Sequence, residues 1–531
     1  MLRGIGVYAI LLGAVSLLLH LPLTWGRRHL ARRWLPWSLT LALAAAAALD
    51  WTHASHFAYF LPPGMNDRLI RTALWLSLGA LISFYTALLH TLHRRPYGWR
   101  SRYGHVLLAV LSVYAMVERR EAFRPRPQPA PRPAAVEAGQ RPRLIVVGLD
   151  SATFDAVLPL AGQGRLPFLA SIRQGGAYGR LASIAPPRRD ALWISLATGK
   201  YPYRHGVTGG RIYPADWIAP GAELRILPEG LSFPQWGTLG RVPSTPRVYP
   251  REAATLWEIL PRLGVPSGVV GWPAAGASKP AGTAESAFSL SDRFFTGQPE
   301  PGSSRPADIE ERARLFRIAP QEIDHGLRAR FGPNAPPFLL DALAADLWRE
   351  SLSFSLLEQH PETGAVFLVL PGLQDVSTRS FGGFSAFQFD GARDPAAREA
   401  AERVSGYYEL LDDFLSALWK RGQGPRVLAI VSACGVTPAK GRGAIGGSLE
   451  GASEGVPDGL LLLYGEGIRP GALVTGARLV DLAPTLLYAL GFPVARDFDG
   501  QVLTAAFDKR FLAGHPLTFF PSYEALAPAR P

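Results

Sequence analysis

Four apolar runs crowd the first 117 residues, at about 5–23, 35–49, 69–92 and 105–117, and they constrain this part of the chain more than any other feature. A helix that crosses a bilayer needs about 20 predominantly apolar residues. The first and third runs reach that length. The second reaches it if it starts at Trp34 and ends at Trp51, with a Trp at each end suited to the membrane interface. The fourth reaches it only from Tyr103, and Glu118-Arg119-Arg120-Glu121 closes it with charge, so a buried or interfacial helix is the alternative there. The expectation is a bundle of three to four transmembrane helices within residues 1–121, at about 5–24, 34–51, 69–92 and 103–117. No small-residue cleavage site follows the first run and further apolar runs come after it, which argues against a cleaved signal peptide.

Charge follows the same division. The net +12 is concentrated in residues 1–140, which hold 16 Arg and five acidic residues; the remaining 39 basic and 38 acidic residues nearly cancel. A balanced C-terminal part excludes a nucleic-acid footprint there. Arg27, Arg28, Arg32 and Arg33 mark one short loop and Arg94, Arg95, Arg100 and Arg102 another, so both are expected to face the cytoplasm. With four spans, everything after residue 117 lies outside the cytoplasm, and with three it lies inside. The arginine-rich, lysine-poor composition, with abundant Ala, Gly and Pro, suggests a bacterial inner membrane as the setting.

Residues 122–142, rich in Pro and Arg without an apolar face, read as an extended linker. At Arg143 the pattern changes to RLIVVGLD, a continuous apolar run that delivers a carboxylate at its end. Similar runs begin at 365, 426 and 459, with amphipathic stretches between them. Buried strands alternating with helices indicate an α/β domain with a mostly parallel sheet and helices on both faces, over 143–531. Ligands of such sheets bind at the carboxyl ends of the strands, where Asp150, Gly372 to Asp375 and Ser432 to Gly435 fall. The Pro- and Gly-rich stretch at about 206–335 reads as a cap insertion. The single cysteine, Cys434, excludes an internal disulfide framework and a Cys-based zinc cluster.

GLDSATFDAVLPLAGQGRLPFLASIRQGGAYGRL, WISLATGKYPYRHGV, TLWEILPRLGVPSGVVGWPAAG, SDRFF, the stretch from YGEGIRPG to FDGQVL, and FFPSYE together resemble the type I phosphodiesterase and nucleotide pyrophosphatase branch of the alkaline phosphatase superfamily, over about 143–523. The resemblance implies two divalent metals, zinc or manganese, held by Asp and His, and a Ser or Thr nucleophile. Paired metals of this kind stabilise the attacking and leaving oxygens. Position by position, however, the site is degenerate. Asp150 keeps the first ligand, while the nucleophile position, four residues before Trp193, is Arg189. The next ligand pair is Asp375 with Arg379, the third is Ala433 with Cys434, and Glu454 stands near the place of the final His. After the linker only His205, His325, His360 and His515 remain. His205 sits in a turn where the family also carries a structural histidine, and Asp324-His325-Gly326 belongs to a helical stretch.

No two-metal phosphoryl transfer and no cofactor are therefore expected, with Arg189 and Arg379 replacing the metal charge beside Asp150 and Asp375. Three functions stay open. The first is a membrane-tethered pseudoenzyme that binds an anionic ligand, through Arg188, Arg189 and Arg379, or a protein partner. The second is a working phosphoester or sulfoester hydrolase, or a phosphotransferase, using displaced residues such as Ser195 or Thr198. The third is a structural scaffold of an envelope complex.

Overall fold

β1 (Arg143–Leu149) lies at the middle of a nine-stranded sheet whose order is β11-β2-β10-β9-β1-β8-β6-β7, with β12 also on β2. Its neighbours β8 (Ala365–Leu370) and β9 (Arg426–Val431) are both parallel to it, in registers Leu144↔Ala365 and Arg143↔Arg426. The computed structural model describes residues 28–61, 63–94, 98–118, 141–208, 211–214, 223–226, 247–248, 251–275, 287–297, 304–306, 308–332, 335–391, 394–436 and 457–524.

The remaining strands of the sheet are β2 (Ala177–Ala182), β6 (Ser267–Trp272), β7 (Phe288–Ser291), β10 (Gly459–Gly465), β11 (Ala472–Leu473) and β12 (Ala477–Arg478). β6 pairs parallel with β8 and β7, while β10 runs antiparallel to β9 and β2. The sheet is thus mostly parallel, as the unbroken apolar runs predict, because a strand buried on both faces has no polar side to present. All six residues of β8 and of β6 are buried. Outside the sheet, β3 (Arg211–Pro214) pairs antiparallel with β4 (Glu223–Ile226), β5 is Arg247–Val248, and β13 (Val494–Ala495) pairs parallel with β14 (Phe519–Phe520).

One sequence expectation changes here. The stretch at about 206–335 is not an insertion throughout, because it supplies β6 and β7 to the central sheet. Its glycines serve packing: a Cβ on Gly268 would lie 2.1 Å from the Phe288 ring, and Gly271 has φ +67 with the Arg349 guanidinium against it. Glycine there marks close approach inside a strand rather than a loop.

The chain divides into two compact units, one of Met1–Pro125 with Arg211–Arg247 and one of Arg126–Gly210 with Val248–Pro531. The first unit contains α1 (Arg28–His56), α2 (Pro63–Leu92) and α3 (Trp99–Glu118). Leu43 and Ala47 of α1 pack on Leu76 and Ala80 of α2, with Leu108 of α3 against the same cluster. Among the described residues one helix, Gly64–Leu92, is long and apolar enough to cross a membrane. The expected bundle of three to four spans is not supported. The apolar run of α1 follows Pro36 and stops at the buried Asp50, and α3 has only 20 residues, opening with Arg100 and Arg102. The run at about 5–24 lies outside the described residues.

Candidate active site at the strand ends

In the second unit, the carboxyl ends of β1, β7 and β8 present Asp150, Asp292 and Asp375, and that of β9 presents Cys434. Asp150 follows β1 directly, buried, with its backbone N–H bonded to the Leu370 carbonyl of β8. Ser151 beside it has φ 66, in the left-handed region that a non-glycine residue seldom adopts. The strand therefore turns away sharply as soon as it has presented the carboxylate.

Arg189 reaches this point from α4 (Arg189–Thr198), whose placement is set one turn further along. Trp193 is fully buried and lies across β1 so closely that a Cβ on Gly148 would come within 2.4 Å of its ring. Trp272 of β6 packs edge-on against it at 5.2 Å and donates its indole N–H to the Trp193 carbonyl at 3.1 Å. Two interlocked tryptophans thus fix the start of α4 over the end of β1, and burial of an aromatic this size is worth about 3–5 kcal/mol.

From there Arg189 bridges two strands. Its Nε donates to Asp150 Oδ2 at 2.6 Å and its Nη1 to Asp292 Oδ2 at 3.2 Å. Asp292 opens α5 (Asp292–Phe295) immediately after β7. The Coulomb attraction and hydrogen bond of Asp150 more than offset the burial of the guanidinium, so Arg189 is held charged. Asp190, the next residue, is pushed up from the ordinary carboxylate range by burial and by Asp292. Cys434, after β9, has its thiol pushed up to about 12 by burial, with Asp150 adding to the effect, so it is not a thiolate. Ala433 is buried and its carbonyl accepts from Ser183 Oγ at 2.9 Å. Arg188, half-buried, is the residue before α4.

Arg379 does not take the place expected of it. It is exposed on α7 (Gly372–Gln388), one turn beyond Asp375, and lies over the Phe338 ring at 4.7 Å. Among the described residues no ion pair joins it to Asp150 or Asp375. Phe338 is in the first turn of α6 (Pro337–Gln359), and a planar guanidinium gains by lying on an aromatic face. Asp375, on the outer face of the same helix, is raised by partial desolvation of its carboxyl despite the pull of Arg379 and Arg189. The second carboxylate of the bridge is therefore Asp292, not Asp375. Glu454 lies outside the described residues.

A second charged cluster stands behind the site. Arg349 of α6 is buried, lies 4.1 Å over the Phe295 ring and donates to the Ala345 carbonyl at 2.9 Å; burial pushes it down to about 10. Asp346, three residues earlier, is fully buried and accepts from Tyr407 Oη at 2.7 Å and from the Gly372 N–H at 3.1 Å. Burial pushes Asp346 up to about 6. A Cβ on Gly372 would strike Tyr407 Oη, so the first residue of α7 is clamped by a carboxylate and a phenol and has no room for a side chain. Tyr407 belongs to α8 (Pro395–Arg421).

The other candidates are structural. Ser195 is fully buried with its Oγ 3.0 Å from His205 Nε2. His205 Nδ1 accepts from the Val207 N–H at 3.1 Å, and burial pushes the ring down to about 3. Thr198, equally buried, donates to the Ile194 carbonyl of its own helix. Asp324 caps a short helix by accepting from the Gly326 and Leu327 N–H groups, which accounts for the Asp-His-Gly sequence. Asp190, Asp292, Asp346 and Arg349 were not singled out from the sequence. For Asp292 a signal existed: SDRFF presents a carboxylate at a strand end, as GLD does.

The donors among the described residues do not fit a two-metal centre. Among the described residues no group of three or more His, Cys, Asp or Glu is arranged to hold a metal ion. Asp150 spends an oxygen on Arg189.

Residues 144–446 match the model of the family described as type I phosphodiesterase / nucleotide pyrophosphatase. Among solved structures, a phosphonoacetate hydrolase from Sinorhizobium meliloti in complex with phosphonoformate is 16% identical with a TM-score of 0.31, the match spanning 56% of each chain. A phosphonate monoester hydrolase from Silicibacter pomeroyi is 12% identical with a TM-score of 0.40, over 70% of this chain and 78% of that one. Murine ectonucleotide pyrophosphatase / phosphodiesterase 5 is 12% identical with a TM-score of 0.37, over 66% and 96%. No curated protein matches the chain. Because the family model spans more than half of its length, the chain belongs to the type I phosphodiesterase / nucleotide pyrophosphatase family.

Proposed function

We propose that the large unit is a non-hydrolytic member of its family, a membrane-tethered domain that binds an anionic group or a protein partner. The observation that carries this reading is the Arg189 bridge between Asp150 and Asp292. A guanidinium cannot serve as nucleophile, since it stays protonated and offers donors only. Placed between two carboxylates it supplies the positive charge that a metal would otherwise bring, with directional hydrogen bonds in place of coordination. Arg379 takes no part in that neutralisation, and an anion captured at this edge would meet Arg379, exposed on α7, with Arg188 at the start of α4.

The helix Gly64–Leu92 provides the tether. With four spans the arginine pattern of the short loops would put the large unit outside the cytoplasm of a bacterial inner membrane, and with the fourth absent it would lie inside. A cysteine placed at the exposed Leu473 in a C434S background tests the side: labelling by a membrane-impermeant thiol reagent in intact spheroplasts puts the unit outside, and labelling only after detergent puts it inside.

The functional test uses the purified full-length protein. Metal analysis, and turnover of an aryl phosphodiester with zinc or manganese added, are expected to give no stoichiometric metal and no turnover. About two metals per chain, with turnover abolished by a chelator, would establish a working phosphoesterase and end this reading. Titration with inorganic phosphate and sulfate separates the ligand classes: a Kd that weakens when Arg188 and Arg379 become Gln supports anion capture, and no binding turns the reading to a protein partner.

A further inference from the structure

The helical unit carries a groove that the site does not use. It lies between α2 and α3, has a volume of about 210 Å³, and is floored by Ile82, Leu107, Leu108 and Leu111. At roughly 30 Å³ for a water-sized group, that is room for about seven methylenes. Two of its three hydroxyls are spent on neighbouring backbone: Thr86 Oγ1 donates to the Ile82 carbonyl and Ser83 Oγ to the Pro36 carbonyl. The groove therefore offers a chain-like apolar occupant contacts without stranding these hydroxyls. Ile82, Leu107 and Leu111 are exposed, which lets an occupant enter from the side.

One end of the groove has a different character. Ser101, Gly104 and His105 line it there, with His105 Nδ1 2.7 Å from the Ser101 carbonyl, and Trp99, Arg100 and Tyr103 are their sequence neighbours in the first turns of α3. Arg94 and Arg100 are exposed, in a segment that also holds Arg95 and Arg102. Trp99 and Tyr103 are 71% and 73% exposed and pack edge to face at 6.5 Å. Exposed Trp and Tyr at a helix end belong at the headgroup level of a bilayer, and guanidiniums there complement a phosphate. Headgroup markers at one end and an aliphatic floor running away from them match the layout of one lipid molecule.

We infer that the groove between α2 and α3 binds an anionic phospholipid, with one acyl chain along Ile82, Leu108 and Leu111 and the phosphate against Arg94 and Arg100. The inference rests on the membrane tether proposed above. Carbonate extraction checks that tether separately, because release of the full-length protein from membranes refutes the tether whatever the lipid result.

The test is native mass spectrometry of the full-length protein released from nanodiscs of equal phosphatidylglycerol and phosphatidylcholine. Phosphatidylglycerol should be retained about tenfold over phosphatidylcholine. Gly104→Leu is the informative variant. A Cβ at Gly104 meets nothing within 4 Å, so the added side chain fills the groove without disturbing packing. Retention should be lost in G104L, and R94A/R100A should keep a lipid but lose the preference. Equal retention of both lipids by the wild type, or unchanged retention in G104L, overturns the inference. So does efficient disulfide crosslinking between cysteines placed at Leu12 and Gly104 in a C434S background, which would give the groove to the chain's own N-terminal segment.

Discussion

Two buried charge clusters lie back to back in the large unit, and they solve the same problem differently. At the strand ends, Asp150 and Asp292 share one guanidinium that bonds to both. Behind them, Asp346 has no cation bonded to it and relies on the Gly372 N–H and the Tyr407 hydroxyl. Glu350, one turn further along α6, is pushed up strongly by burial and by Asp346, and its Oε1 is buried without a hydrogen-bond partner. The first cluster stays ionised because a partner of opposite charge is in contact, whereas the second drifts towards the neutral acid because burial outweighs the pull of the nearby Arg349 and the two hydrogen bonds. The lesson is that α4 and β7 invest charge at the strand ends, while α6, α7 and α8 use a weaker polar clamp to hold the helix beside them.

Breaking the clamp at its narrowest point should cost most. Gly372→Ala places a methyl group against Tyr407 Oη and 2.6 Å from Asp346 Oδ2, and the backbone carbonyl of Ala342 is 2.8 Å away. None of these can retreat without losing a buried hydrogen bond, so a loss above about 4 kcal/mol and little folded protein are expected. Tyr407→Phe keeps the space and removes one donor, so thermal melts should place it about 1–3 kcal/mol below wild type. A well-folded Gly372→Ala protein would mean the clamp is looser than described.

Arg189→Met sharpens the other side. It leaves Asp150 and Asp292 buried with no counter-charge, and breaking such a pair costs about 3–5 kcal/mol. Adding Asp150→Asn and Asp292→Asn to Arg189→Met should recover much of that loss, since it removes the uncompensated charge. Failure of the triple variant to recover would show that Arg189 acts by packing rather than by neutralisation.

The contrast with these residues explains what the sequence could and could not convey. The strands β1, β8, β9 and β10 are legible because burial on both faces leaves unbroken apolar runs. Asp150 is legible because it ends one of them. β6 and β7 are not, because β6 carries Gly268 and Gly271 to admit Phe288 and Arg349, and that need reads as loop composition. The identities of Arg189, Arg379, Ala433 and Cys434 are legible residue by residue, but which acid an arginine chooses is a tertiary outcome. Arg189 found Asp292 across the sheet, and Arg379 found a ring on the adjacent helix. Helix length in the first unit was overread for a related reason: apolar runs describe composition, while Pro36 and Asp50 interrupt the span that composition implies.

The two clusters should also part under acid. Asp346 has a folded value of about 6, above its ordinary unfolded range, so its ionisation penalises the folded state. That penalty is fully present above about pH 6, shrinks as pH falls towards 4, and is gone below the ordinary aspartate range. Its size is on the order of 3 kcal/mol. Asp346→Asn keeps an acceptor for the Gly372 N–H, and Tyr407 can still donate to the Ala342 carbonyl. The variant should therefore match or exceed wild-type stability at pH 7.5 and gain less than wild type between pH 7.5 and 4.5. Parallel pH profiles for the two proteins would show that Asp346 does not titrate in this window.

The smallest effect belongs to Arg379, and its smallness discriminates. Had this arginine neutralised Asp375 in the interior, Arg379→Gln would resemble Arg189→Met. Exposed on α7 and lying over Phe338, it instead stands to lose a surface cation–π contact worth about 0.5–1 kcal/mol at most. A melt within that margin, set beside the loss of several kcal/mol at Arg189, would place the charge replacement on one arginine and two strand ends. A loss at Arg379 equal to that at Arg189 would instead extend the cage to α7, and both arginines would then be spent on carboxylates rather than open to an anion.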